Sequence, residues 1–194
     1  MLNVALLDIA EEYGRPIDSV QWVVTIYLLT ISICLPLMGR LGDSRGKRAV
    51  HNAGLLLFLA GALSCALAPN LGALIIARML QGIGASMYQA TNMALIVSLV
   101  LPEHRGRALG TVSTFVAMGT ILGPSVGGIT VQWMSWQANF WILAGVSAFL
   151  WILAHLAVPK DRPVSNIPLD AVGAGLFGTW LGSLIVLLNI GMAW

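Results

Sequence analysis

Charge is scarce in this sequence. Lys, Arg, Asp and Glu make up 9% of its 194 residues, against about 25% in soluble proteins. Ten basic and eight acidic side chains cannot clothe a water-facing surface when 58% of the chain is hydrophobic. Cysteine is scarcer still. Cys34 and Cys65 both sit inside apolar runs, so neither a disulfide framework nor a metal-ligand spacing is present. A net charge of +2 is too small for a nucleic-acid partner, whose phosphates call for a concentrated basic face. No nucleophile–base grouping or nucleotide-binding loop is visible, so the expectation is of neither an enzyme nor a cofactor-binding protein. What is abundant is apolar length and glycine, 21 residues of it, as befits helices packed closely in lipid. The sequence reads as an all-α, polytopic integral membrane helix bundle.

A bilayer-crossing helix needs about 20 mostly apolar residues. Five runs meet that length, at residues 20–38, 49–68, 71–101, 108–131 and 140–158, and a sixth, 171–193, closes the chain. Residues 1–10 are apolar but about half as long. They lack the basic start and cleavage pattern of a signal peptide, leaving an interfacial stub or the outer part of a first helix. Counting this stub as the first, the full runs are the second to seventh helices. Of the ten Lys and Arg residues, eight lie in alternate loops: Arg40, Arg45, Lys47, Arg48, Arg105, Arg107, Lys160 and Arg162. The opposite loops hold Arg15 alone. That asymmetry places the basic loops in the cytoplasm. Trp22, Trp133, Trp136 and Trp194 then fall at outer helix ends, where an aromatic belt is expected.

One charge lies deep within a span. Arg78 sits about two turns into the fourth helix, where insertion scales set its cost at roughly 2.5–3.5 kcal/mol. At 100° per residue, Arg78, Gln81, Gln89 and Asn92 share an arc of about 80°. The stripe serves either as interhelical hydrogen bonding or as the wall of a solvated pathway, and the charge at its end favours the pathway. In the fifth helix Gly119, Gly123 and Gly127 recur every fourth residue beside Pro124 and Gly128. Such a bare face lets another backbone approach, and the proline invites a bend. The segment after the second helix carries Gly39, Asp43, Gly46 and Arg48, composed for a tight turn. Its single acid among cations can cap a helix start or pair with Arg105 or Arg107 of the next basic loop.

These three segments together resemble the major facilitator superfamily. Residues 39–48 resemble its G-x-L-[AG]-D-x-x-G-[RK]-[RK] signature. Residues 74–86, with Arg78, Gln81, Gly82 and Gly84, resemble its R-x-x-Q-G-x-G pattern. Residues 119–128 are similar to the G-x-x-x-G-P-x-x-G-G signature of its antiporters. The matches fall in order, on the expected helices and membrane sides. The short step across residues 159–170 and the opening Asn3-Val4-Ala5-Leu6 resemble the 14-helix drug:proton antiporter branch, with Leu7 where that branch usually has proline.

The resemblance implies an N-terminal six-helix unit over residues 1–158 with its first helix truncated, a cytoplasmic linker over 159–170, and a seventh span over 171–194. It implies proton-coupled export of small, often lipophilic compounds by alternating access, across what is expected to be the plasma membrane. Arg78 would couple protons to substrate, and Gln81, Gln89 and Asn92 would line the cavity. Gly39, Asp43, Gly46 and Arg48, with Arg105 or Arg107, would form a cytoplasmic gate. Gly119, Gly123, Pro124, Gly127 and Gly128 would form the antiporter helix. Expected partners are the bilayer, protons, a small-molecule substrate, and a C-terminal half or a second copy. The branch's membrane-embedded acid would lie just upstream of residue 1, so the chain alone is expected not to transport. The alternatives are a membrane fragment without transport activity and a nutrient uniporter or importer.

Overall fold

The computed structural model describes residues 5–159, 173, 176–180 and 182–183. Among them the chain is helical, with no strand. A short helix α1 (Leu6–Tyr13) is followed by α2 (Ile17–Arg45), α3 (Lys47–Ala66), α4 (Leu71–Leu99), α5 (Arg105–Trp133) and α6 (Trp136–Ala157). A single 3₁₀ turn, Pro102–His104, precedes α5. The helices α2 to α6 are each long and apolar enough to cross a membrane. The expected linker lies outside the described residues, as does most of the seventh span. Residues 176–180 are helical, and Gly178 lies close against Ile33 of α2.

Two boundaries differ from the hydropathy pattern. At 29 residues, α2 is about 43 Å long, well beyond a hydrocarbon core of about 30 Å. It therefore carries residues 39–45 as helix, where the glycines and serine suggested a turn. Backbone hydrogen bonding continues past the membrane edge, and the chain reverses at Gly46 alone. Gly46 adopts φ 98°, a conformation that disfavours any side chain, while its N–H donates to the Gly42 carbonyl at 3.0 Å. Likewise α1 runs three residues past Ala10, through Glu11, Glu12 and Tyr13, and ends on Gly14 in the left-handed conformation.

A sealed core lies at the helix ends expected to face outward. There α1 inserts among the outer ends of α2, α3, α4 and α6, and Ala5, Ile9, Val20, Val23, Cys65, Leu74 and Phe140 are sealed off. Trp136 belongs to this core and is 2% exposed, so it is no belt residue, whereas Trp133 is 83% exposed. The Trp136 indole N–H donates to Glu12 Oε2 at 2.5 Å, and Gln137 Nε2 donates to Glu12 Oε1 at 2.9 Å. Tyr13 Oη donates to the Ala68 carbonyl at 2.8 Å. An acid that hydropathy counts as a loop residue thus fastens α1 to α6.

Between α3 and α4 the backbones nearly touch. A Cβ placed on Gly61 would lie 2.6 Å from Gln81 Cα, and one on Gly54 would lie 2.6 Å from Met87 Cβ. Gly84 abuts the Phe58 backbone from the other side. The glycines of α5 behave differently. No atom lies within 4 Å of a Cβ built on Gly119 or Gly123, and only Gly127 and Thr130 of that helix are buried. Close helix approach was expected on the α5 stripe; among the described residues it occurs between α3 and α4. Pro124 lies within α5, which continues to Trp133.

Candidate functional site

Arg78 lies on the face of α4 turned toward α2 and is 6% exposed. Its Nε donates to the Val23 carbonyl of α2 at 3.1 Å, and its Nη1 donates to Gln81 Oε1 at 2.5 Å. The guanidinium also stacks over the Tyr27 ring, 3.9 Å from its centroid, and lies 5.9 Å from the centroid of Phe140. Cation–π attraction of this kind strengthens when the charge is desolvated. Among the described residues no carboxylate forms an ion pair with it; Asp43 pairs with Lys47 instead. A buried guanidinium is thus held by a carbonyl, an amide oxygen and an aromatic face, with its charge left uncompensated by an acid. Such a group interacts strongly with any acid nearby that gains or loses a proton.

The rest of the stripe does not act as one surface. Gln81 is fully buried; its Oε1 also lies 3.9 Å from Cys65 Sγ, and its Nε2 has no partner. Asn92, three turns further on, borders a cavity of about 560 Å³ between α3, α4 and α6. Gln89 is exposed. The helical arc is real, but neighbouring helices cover it unevenly along its length. The two glycines of the same motif face different helices: Gly82 meets Thr30 of α2 and Gly84 meets α3. Tyr27 carried no signal of its own in the sequence, because its partner lies on another helix.

At the basic end, Asp43 Oδ1 meets Lys47 Nζ at 3.4 Å, four residues on. The expected partners stand elsewhere. Arg105 Nε donates to the Val100 carbonyl at 3.2 Å, and Arg107 lies exposed on the first turn of α5. The single-residue break at Gly46 keeps Lys47 nearly in helical register with Asp43, which makes it the nearer cation. Asp43 does not cap α3, whose start at Gly46 has no side-chain cap. Gly42 lies against Thr91 of α4, and Gly39 is in ordinary contact range of Ala90. Arg48 reaches across to α6, where its Nη2 donates to the His155 carbonyl at 2.6 Å. That link was not anticipated, since nothing in a sequence ties residues 107 positions apart. In α5, Gly128 is half-buried and Pro124 exposed.

Comparison with known proteins agrees with this architecture. The family model for the Major Facilitator Superfamily matches residues 1–194. The uncharacterized MFS-type transporter YvkA of Bacillus subtilis is 32% identical over all of this chain and 44% of its own length. The riboflavin transporter RibZ of Clostridioides difficile is 29% identical over 97% of this chain and 42% of its own. The multidrug resistance protein Stp of Mycobacterium tuberculosis is 32% identical over 95% of this chain and 35% of its own. The chain spans less than half the length of these relatives. Its helices form a multi-pass integral membrane protein with the character of an N-terminal half, and the chain belongs to the major facilitator superfamily.

Proposed function

We propose that this chain is the N-terminal part of a proton-coupled exporter of small, often lipophilic compounds. The reading includes the 14-helix branch, a plasma-membrane location, a linker over residues 159–170 and a seventh span over 171–194. The observation that carries it is Arg78: a buried guanidinium, without an acid partner among the described residues, within the R-x-x-Q-G-x-G segment. A proton arriving on a nearby carboxylate changes that acid's attraction to Arg78 and so shifts the balance between two arrangements of the bundle. Alternating access needs a second half to rock against, supplied by the rest of the protein or by a second copy. Asp43 and its neighbours would bias that motion at the cytoplasmic face, and the bare face at Gly119 and Gly123 would receive a moving helix. A multidrug resistance protein and a methylenomycin A resistance protein among the relatives support export.

The riboflavin transporter among the relatives favours a second reading, movement of a nutrient. Direction and coupling separate the two. The whole protein encoded at the native locus, in inside-out vesicles, is expected to accumulate lipophilic cations or dyes when the lumen is acidified, and to stop when the gradient is dissipated. Arg78→Ala should abolish this at equal abundance. Arg78→Lys should restore part of it, since lysine keeps the charge but not the planar fork of donors. Undiminished gradient-driven uptake in the alanine variant would refute the coupling role, and riboflavin movement indifferent to the gradient would favour the second reading.

A further inference from the structure

The cavity between α3, α4 and α6 borders Asn92 and ends near Arg48 of the gate segment, and its length and the charge at its rim go beyond the roles the transport reading gives those two residues. Its wall on α6 runs from Leu143 to Ala157, about 21 Å at 1.5 Å per residue. One leaflet of a 30 Å hydrocarbon core is about 15 Å deep. The cavity is therefore a slot along the bilayer normal, from mid-membrane to the end of the bundle that carries the basic residues. Leu55, Phe58, Val146 and Leu150 make it mainly apolar. Ser147, a polar member, already donates to the Ala144 carbonyl at 3.0 Å.

The rim at the basic end is different. Arg48 Nη2 rests on the His155 carbonyl at 2.6 Å, beside the lining residues Ala154 and Ala157 and one turn of α3 from the lining residue His51. Arg40, Arg45, Lys47, Arg105 and Arg107 belong to the same end, against the acids Asp43 and Glu103. We propose that the slot seats one acyl chain of an anionic phospholipid from the cytoplasmic leaflet, with its phosphate held at the rim by Arg48. The length of the slot suits a chain. The guanidinium suits a phosphate, which it can bind through two parallel donors. Basic pockets between membrane helices on this side take up anionic head groups. A zwitterionic lipid offers the same chain and phosphate but brings a cation to a rim already in positive excess, so the anionic lipid is preferred.

The test is native mass spectrometry of the purified protein in mild detergent, titrated with phosphatidylglycerol or phosphatidylcholine of identical chains. One phosphatidylglycerol is expected to be retained in preference to phosphatidylcholine. Arg48→Gln should cut that preference about fivefold, the size of one basic residue's contribution at an anionic membrane surface, while leaving chain binding in place. Val146→Trp and Leu150→Trp fill the slot at two depths, and either should abolish retention of both lipids. Equal retention of the two lipids by the parent would overturn the proposal, as would retention by the tryptophan variants. A second copy of the chain held in place of lipid would also overturn it. Should one tryptophan variant fail to fold, the other and Arg48→Gln still decide.

Discussion

The Arg78 cluster shows how one side chain is kept in a place that ordinarily rejects it. Insertion scales set the cost of an arginine there at roughly 2.5–3.5 kcal/mol, and here a carbonyl, an amide oxygen and the Tyr27 ring offset part of it. Gln81→Leu removes the amide acceptor and leaves a buried donor unmatched, at about 1–3 kcal/mol. In a double-mutant cycle with Arg78→Met, read by unfolding in a bilayer mimetic, the pair should cost less than the sum of the singles; strict additivity would mean that the 2.5 Å contact contributes nothing. At the outer end, Trp136→Phe keeps the edge-on ring contacts with Tyr13 and Phe140 but loses the donor to Glu12. A loss of about 1–2 kcal/mol is expected for this half-buried bond to a charged acceptor, and an unchanged unfolding midpoint would dismiss Glu12 as a fastener. Arg78 and Gln81 could be paired from the sequence because they lie three residues apart on one helix. Tyr27 and Glu12 could not, because their partners come from elsewhere in the chain.

Among the described helices, α3 and α4 pack against each other most extensively, and α5 packs little for its length. The three glycines at the α3–α4 contact let two backbones meet, and in lipid such packing replaces the hydrophobic drive that operates in water. Gly61→Val must push α4 away, since its new side chain would start within 2.7 Å of Gln81 backbone and side-chain atoms. A cost of about 1–3 kcal/mol is expected. Gly119→Val, with open space around it, should change the stability of this chain by less than about 0.5 kcal/mol. Thermal unfolding of both variants in detergent checks the contrast, and the reverse order would place the close contact on α5 after all. The α5 stripe was conspicuous because its period is four. Gly54 and Gly61, seven apart, lie on one face across two turns and stand out less in a glycine-rich chain.

For the molecule as a whole, the distribution of Lys and Arg implies one orientation, and the fold is compatible with it: Arg45, Lys47 and Arg105 lie at one end of the bundle, Glu12, Asn70 and Trp136 at the other. In a background lacking Cys34 and Cys65, a cysteine at position 45 should react with an impermeant reagent only from the cytoplasmic side, and one at position 70 only from outside. Labelling of position 45 in intact cells would invert the bundle. The orientation also decides which leaflet faces the slot beside α6, so the same result bears on the lipid proposal.

Hydropathy, charge asymmetry and local spacing suffice for the number of long helices, their approximate limits and the membrane class, because these depend on each residue's own transfer energy and on neighbours three or four positions away. They also single out Arg78, whose cost in lipid is a property of the residue itself. Tertiary structure decided the rest. It placed Trp136 in the core rather than at the interface, turned Asp43 toward Lys47, divided the polar stripe of α4 among three environments and, among the described residues, brought α3 and α4 into close backbone contact. Each of these depends on which helix stands beside which. The hydrocarbon solvates apolar faces almost as well as protein does, so the apolar pattern does not say which face of a helix meets another helix and which meets lipid.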